Sequence, residues 1–333
     1  MVAIVLWAVA NSAVAQTGLV ADPLPSWNDG AARRAVLDFI AGATREGGPD
    51  FIPPAERVAT FDNDGTLWSE QPVYVQFAFA VDRVKTLALR HPEWKDREPF
   101  SWVLNGDLAS LAASGEQGLL EIVAATHAGT TVDEFRTSVQ EWMAAARHPR
   151  FNQPYNQLIY QPMRELLDFL RSKGFKTYIV SGGGIDFMRP WAEQTYGVPP
   201  EQVIGSSLRL KYELRDGEPV LVKVAEVNQI NDKDGKPVSI EQFIGRRPVA
   251  AFGNSDGDYE MLCYATSKGA DTSYRRFGLI VHHTDVEREW AYDRESHVGR
   301  LSKALDEAQD RGWTVVDMKR DWKTVYPLGE TSR

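Results

Sequence analysis

Two acidic residues, Asp62 and Asp64, directly follow an apolar run in the stretch Val58-Ala59-Thr60-Phe61-Asp62-Asn63-Asp64-Gly65-Thr66-Leu67-Trp68. Such a run predicts a buried strand that brings carboxylates to its exposed carboxyl end, where a glycine lets the chain turn away. Carboxylates this close repel one another, so a bound cation or a shared proton usually holds them together. A strand-end turn without chemistry is the alternative, because Asp, Asn and Gly are all common in turns.

Three further apolar segments, residues 176–180, 248–252 and 278–281, are predicted strands that also end in polar sequence. They are followed by Ser181-Gly182-Gly183-Gly184, by Gly253-Asn254-Ser255-Asp256-Gly257-Asp258 and by His282-His283. Strands that alternate with helices predict a doubly wound parallel sheet of the α/β class. Such a sheet binds its ligands beyond the carboxyl ends of the strands, which is where these polar segments would meet.

Residues 71–156 differ in character from the rest of the chain. Apolar residues recur there at helical spacing in three stripes, and no segment reads as a convincing strand. We therefore expect a helical domain over residues 71–156, inserted into an α/β unit made of residues 16–70 and 157–333. Within that unit, residues 206–214 and 219–224 are predicted to form a β-hairpin.

Four segments resemble the motifs of the haloacid dehalogenase (HAD) superfamily. In chain order they are Asp62-Asn63-Asp64-Gly65-Thr66-Leu67 for motif I, Ser181-Gly182 for motif II, Lys236 for motif III and residues 253–258 for motif IV. Motif II has the Ser-Gly-Gly form of the phosphoserine phosphatases, so the chain resembles that branch. The resemblance implies a Rossmann-like core, with the insert after motif I acting as a C1-type cap that selects the substrate.

The resemblance also implies the chemistry. Asp62 would attack phosphorus and form an aspartyl-phosphate, and Asp64 would act as general acid and then as general base. Ser181 and Gly182 would hold phosphoryl oxygens, while Lys236 would neutralise charge beside Asp62. Family members that cleave carbon–halogen bonds lack the second acid, so Asp64 favours a phosphatase.

Mg²⁺ is the cofactor that the resemblance implies, with Asp62, the backbone carbonyl of Asp64, Asn254 and Asp258 as ligands. The family usually has an aspartate where this chain has Asn254, which can coordinate only through a neutral amide oxygen. Three outcomes are open: weaker Mg²⁺ binding, replacement of the ligand by Asp256, or a different metal preference. If Asn254 is the ligand, we expect Asn254→Asp to tighten Mg²⁺ binding.

Other assignments rest on weaker patterns. Glu70 follows motif I near the mouth of the cap and is a candidate substrate contact by analogy with phosphoserine phosphatase. Lys233 and Lys223 compete with Lys236 for motif III, because a single lysine is most often a solvated surface residue. A further set after the 278–281 strand could contact a substrate or lie on the surface: His282, His283, Arg288, Tyr292 and His297.

The composition is that of an ordinary globular protein, with 43% hydrophobic and 25% charged residues in a chain of 333. A net charge of −9 and the absence of a dense basic run argue against nucleic acid as a partner. The single cysteine, Cys263, excludes an internal disulfide and a multi-cysteine metal site. The expected partner is a small phosphorylated metabolite, and the sequence leaves the oligomeric state open.

The first residues resemble a secretory signal. Residues 2–10 are apolar and Ala13-Val14-Ala15 fits the small-x-small cleavage rule, although a basic segment at the start is missing. The apolar run is too short to span a membrane, which needs about 20 residues. We therefore expect residues 1–15 to be a signal peptide and the protein to be exported, with a cytoplasmic location as the alternative.

The sequence thus predicts a Mg²⁺-dependent phosphomonoester hydrolase that works through an aspartyl-phosphate. Two alternatives remain at this stage. One is a phosphotransferase that passes the same phosphoryl group to an alcohol. The other is a non-catalytic binding protein on a HAD scaffold, which only Asn254 favours.

Overall fold

An eight-stranded, mostly parallel sheet forms the centre of the computed structural model, which describes residues 21–107, 110–111, 115–267 and 274–327. The sheet order is β4-β3-β2-β1-β5-β6-β7, with β8 beside β6. Only the β3–β4 and β6–β7 pairs are antiparallel. The strands are β1 (Val58–Phe61), β2 (Lys176–Gly184), β3 (Val203–Arg215), β4 (Glu218–Gln229), β5 (Ala250–Gly253), β6 (Phe277–Thr284), β7 (Ala291–Tyr292) and β8 (Thr314–Asp317).

Helices cover both faces of this sheet. Those of the α/β unit are α1 (Ala31–Thr44), α6 (Gln161–Ser172), α7 (Ile185–Tyr196), α8 (Gly235–Ile244), α9 (Tyr259–Thr266), α10 (Lys303–Glu307) and α11 (Met318–Asp321). Those between β1 and α6 are α2 (Val75–Leu87), α3 (Phe100–Asn105), α4 (Gly115–His127) and α5 (Val132–Ala145).

Neighbouring residues of each central strand enter different cores, because successive side chains of a strand point to opposite faces. Ile179 and Phe252 pack in the core that contains α1 and α6. Val180 and Ala251 pack in the core that contains α8 and α9. Since both faces are buried, the strands are apolar throughout rather than alternating, as expected of a parallel sheet. The predicted doubly wound α/β fold is confirmed.

The helices between β1 and α6 form a cap with an apolar core of its own, built around residues such as Val84, Trp94, Phe100 and Ile122. The sequence predicted the helical character of this block. It did not predict that the β3–β4 hairpin leans on the cap, where the amide of Lys223 donates to the carbonyl of Thr130 (2.9 Å).

Three predicted elements have different ends in the structure. Both hairpin strands are longer than predicted, and β2 continues through the glycines to Gly184, because Gly184 pairs with Ser206 of β3. A helix was predicted around residues 301–311, but α10 spans only Lys303–Glu307, and Gly312 follows it with φ +69°. No described helix is long and apolar enough to cross a membrane.

Candidate active site

Asp62 and Asp64 lie at the carboxyl end of β1, as predicted. The amide of Asp62 still donates to the carbonyl of Phe252 in β5 (2.9 Å), so this residue is fixed by the sheet itself. The chain then turns at Gly65, which has φ +74°, and the amide of Leu67 donates back to the carbonyl of Asn63 (2.8 Å). Asp64 is held by the indole of Trp68, whose Nε1 donates to Oδ1 (2.9 Å).

Lys236 joins this strand end to motif IV. Its Nζ donates to Oδ1 of Asp62 (2.7 Å) and to Oδ1 of Asp258 (2.5 Å), and its side chain is 2% exposed. Burial disfavours the charged lysine, but Asp258 and Asp62 outweigh that effect and hold its pKa above the ordinary value. The competing Lys223 pairs instead with Asp186. The structure therefore brings together Lys236, rather than Lys223, with the motif I carboxylates.

Burial controls the acids of this cluster. It raises the pKa of Asp62 well above the usual range, Asp258 raises it further, and Lys236 acts in the opposite direction. Burial also raises the pKa of Asp64, against hydrogen bonds from Trp68 and Asn63. A site with several buried carboxylates and one buried lysine is short of positive charge.

The loop after β5 holds Asp258 in place. Oδ2 of Asp258 accepts hydrogen bonds from the amides of Asn254 (3.0 Å) and Ser255 (3.1 Å), while Oδ1 faces Lys236. Both carboxylate oxygens are thus used, and the residue is fully buried.

Ser181 and Gly182 lie on the neighbouring strand end, at β2. Ser181 is buried and hydrogen-bonds to Asp64, and its Oγ accepts from the amide of Gly183 (3.0 Å). The Ser181 carbonyl accepts from Nδ2 of Asn231 (2.8 Å). Gly182 is exposed, so its backbone faces the space in front of the strand ends. The predicted motif II residues therefore stand beside the motif I acids.

Glu70 does not lie at the mouth of the cap, as the sequence had suggested. It is 2% exposed, and its Oε1 accepts from Nδ2 of Asn254 (2.8 Å) and from the hydroxyl of Tyr292 (2.7 Å). Burial raises its pKa well above the usual range, while Tyr292 acts in the opposite direction. Glu70 is thus a buried partner of motif IV, which corrects its placement as an open substrate contact.

Asn254 and Asp256 settle one of the alternatives for motif IV. Oδ1 of Asn254 accepts from Oγ1 of Thr66 (3.0 Å). Asp256 instead turns toward α10, where its Oδ1 accepts from the amides of Ser302 (3.1 Å) and Ala304 (2.9 Å). With its carboxylate bound there, Asp256 is not placed to replace Asn254 as a ligand.

The donor atoms at these strand ends suit Mg²⁺, which prefers oxygen and keeps several waters. Asp62, Asp258 and the Asn254 amide supply side-chain oxygens, and the buried acids lack a matching cation. No group of three or more His, Cys, Asp or Glu side chains is arranged to hold a metal among the described residues. That absence fits a Mg²⁺ site, which needs only one or two carboxylates.

Sequence reasoning missed Gln76 altogether. Gln76 lies in the first turn of α2 in the cap, and its Oε1 accepts from the amide of Gly184 (2.6 Å). It is the cap side chain that reaches the end of motif II. No local pattern could have found it, because its partner is 108 residues away.

The residues after β6 support the site from behind. His283 is buried, with Nε2 on the carbonyl of Gly65 (2.8 Å) and Nδ1 on Glu289 (3.1 Å), so it fixes the motif I turn. His282 pairs with Asp293, and the Arg288 guanidinium donates to backbone carbonyls near α11. Tyr292 is the member of this set that contacts a predicted site residue, through Glu70.

Comparisons with known proteins agree with this architecture. The profile of the haloacid dehalogenase-like hydrolases matches residues 59–262, which is more than half of the chain. No curated protein matches the chain in sequence.

Two solved structures share the fold. One, a protein of unknown function from Bordetella pertussis Tohama I, is 17% identical with a TM-score of 0.50 and covers 79% of this chain and 99% of its own. The other, a functionally unknown protein from Anaerococcus prevotii DSM 20548, is 15% identical with a TM-score of 0.54 and covers 89% of this chain and 95% of its own. With the profile match over all four motifs, the chain belongs to the haloacid dehalogenase-like hydrolases.

Proposed function

We propose that this protein is a Mg²⁺-dependent phosphomonoesterase, of the phosphoserine-phosphatase-like branch, that acts on a small phosphorylated metabolite. The observation that carries the proposal is the contact of Lys236 with both Asp62 and Asp258, directly beside Asp64 and Ser181. It places a nucleophile, a proton donor and phosphoryl-binding groups at one sheet edge.

In the first step an Oδ of Asp62 attacks phosphorus, and the bond from phosphorus to the leaving oxygen breaks. The product is an aspartyl-phosphate on Asp62 and an alcohol. Lys236 keeps Asp62 in its charged form against the effect of burial. Lys236 also offsets the charge that builds up on the phosphoryl oxygens.

Asp64 gives its proton to the leaving oxygen in that step. Burial raises the pKa of Asp64, which increases the protonated fraction that a general acid needs. In the second step Asp64 takes a proton from water, the water oxygen attacks phosphorus, and the phosphorus–Asp62 bond breaks. Trp68 holds Asp64 in one orientation for both proton transfers.

Asp62, the carbonyl of Asp64, Asn254 and Asp258 would hold Mg²⁺. The ion would supply positive charge at the phosphoryl oxygens. The ligand sphere would be completed by water, as this ion prefers.

The test is turnover of p-nitrophenyl phosphate and of a panel of phosphorylated metabolites, with Mg²⁺ and with a chelator. Acid-quenched protein should carry one phosphoryl group on the peptide that contains Asp62. Added glycerol distinguishes hydrolysis from transfer, because a phosphotransferase would release phosphoglycerol. Absence of turnover across the panel would favour the non-catalytic binding protein.

Export and the domain boundaries are part of the proposal. The signal sequence would be residues 1–15, which lie outside the described residues, and the cap would be residues 71–156. The apolar run of residues 2–10 and the alanines before Gln16 support export. Cell fractionation with sequencing of the mature amino terminus tests it, and an intact Met1 in cytoplasmic protein would contradict it.

A further inference from the structure

The side chain of Asn254 is held from both sides. Thr66 donates to its Oδ1 (3.0 Å), and its Nδ2 donates to Oε1 of Glu70 (2.8 Å). The first contact fixes the amide oxygen on the motif I side, and the second puts a carboxylate directly behind the amide nitrogen. The side chain is 1% exposed, so water does not compete for these contacts.

The carboxylate of Glu70 lies in a fitted cradle. Gly65 and Gly299 have φ +74° and +67°, and a Cβ at either position would collide with Oε1 of Glu70. Tyr292 donates to the same oxygen (2.7 Å). The chain approaches this carboxylate so closely at two points that only glycine fits, which is the sign of a position built to hold it.

Charge is the physical reason to hold it there. An amide oxygen is a weaker ligand than a carboxylate because it carries no net charge. A carboxylate that accepts a hydrogen bond from the amide nitrogen polarises the amide toward its oxygen, and the effect is strong where water is absent. Partners of this kind, one bond behind a ligand, tune metal affinity in many sites.

We propose that Glu70 supplies, through Asn254, the negative charge that this metal site lacks because Asn254 replaces an aspartate. Asn254 and Glu70 together then act as one charged ligand, with the amide oxygen in front and the charge behind it. Glu70 is a positioning residue in this arrangement and does not touch the substrate. The inference rests on the proposed Mg²⁺ dependence.

The geometry leaves two competing accounts less room. Asp256 cannot supply the charge, because its carboxylate is bound at Ser302 and Ala304. A direct substrate contact by Glu70 would require the buried carboxylate to leave Asn254 and Tyr292.

The experiment is calorimetric titration of the full chain with MgCl₂, without substrate. Glu70→Gln keeps the shape and can still accept from Asn254 and Tyr292, but loses the charge. We expect its Mg²⁺ dissociation constant to rise about tenfold. Asp256→Asn, the same change on the other side of Asn254, should leave the constant within about twofold. Glu70→Gln/Asn254→Asp moves the charge to the ligand itself and should restore most of the lost affinity.

The outcomes separate the inference from the proposed function. If the unaltered protein shows no Mg²⁺ binding, the proposed Mg²⁺ dependence fails and the inference fails with it. If it binds Mg²⁺ and Glu70→Gln binds equally well, or if the double variant is not rescued, only the inference is overturned. Circular dichroism establishes that each variant is folded. Should Glu70→Gln not fold, Tyr292→Phe removes one donor to Glu70 and should still weaken binding by a measurable factor, whereas unchanged binding would count against the inference.

Discussion

The inner and outer halves of the candidate site are built in different ways. The inner half consists of Asp62, Ser181, Lys236 and Asp258, each at the end of a strand or the start of a helix of the α/β unit. The outer half consists of Glu70, Gln76, Tyr292 and Gly299, which come from loops, the cap and the last part of the chain.

The two halves also differ in what holds them. Ion pairs and sheet hydrogen bonds fix the inner half, so its chemistry depends on the charges at a few rigid positions. Hydrogen bonds between segments far apart in sequence fix the outer half, such as that of Tyr292 to Glu70 across 222 residues. Variants in the inner half should therefore abolish turnover, while variants in the outer half should tune affinity.

The largest effect is expected from Asp62→Asn. The change keeps the volume and removes the nucleophile, so turnover should fall on the order of 10³-fold or more. Circular dichroism should match that of the unaltered protein. Asp168→Asn on the exposed face of α6 is the matched control and should keep its activity. Turnover near the original level in Asp62→Asn would remove the aspartyl-phosphate mechanism.

Asp64→Asn should be the next largest. Loss of the general acid should lower the rate by about 10²- to 10⁴-fold for an alkyl phosphate. The loss should be smaller for p-nitrophenyl phosphate, because p-nitrophenolate leaves with little protonation. Comparing kcat/KM for the two substrates measures the difference. Equal losses for both would mean that Asp64 does not protonate the leaving group.

Gln76→Ala tests the outer half. The variant loses the hydrogen bond to Gly184, worth about 0.5–1.5 kcal/mol, so KM should rise roughly twofold to tenfold with a smaller change in kcat. Gln140→Ala provides the control, since Gln140 of α5 also reaches the α/β unit, at the carbonyl of Pro190 in α7. A collapse of kcat in Gln76→Ala would place this residue with the inner half instead.

The smallest effect concerns the stability of the cap. His127 is buried at the end of α4, and its Nε2 has no hydrogen-bond partner among the described residues. Burial, with Lys223 and Arg83 nearby, lowers the pKa of His127 well below its ordinary 6.5.

Below that ordinary value the unfolded chain binds a proton that the folded chain does not, so stability is lost as the pH falls. The contribution is at most about 1.4 kcal/mol per pH unit. Urea unfolding at several pH values should show a flatter profile for His127→Gln than for the unaltered protein. Parallel profiles would show that His127 does not drive the loss.

The difference between the halves also explains what the sequence could predict. The apolar runs before Asp62 and Gly253 predicted strands because a parallel sheet is buried on both faces, and a buried strand leaves a clear local signal. Lys236 could be preferred over Lys223 because it lies just before the motif IV strand.

Glu70 was placed wrongly because its surroundings are non-local. The sequence shows an acid after motif I, but not that Tyr292 and Gly299 come back to cover it. Gln76 left no signal for the same reason, since its role depends on how the cap rests on the sheet. The extension of β2 to Gly184 likewise depends on β3, which no run of glycines would suggest.

Gly299 and Tyr292 follow motif IV in the chain, and this has a consequence for biosynthesis. A ribosome makes the inner half first, and every residue from Asp62 to Asp258 has emerged before the segment that encloses Glu70 is translated. A nascent chain halted after α9 would contain all four family motifs with the Glu70 carboxylate still open to water. The metal site that we propose would then mature only with the last strands, which delays hydrolytic activity until synthesis is nearly finished.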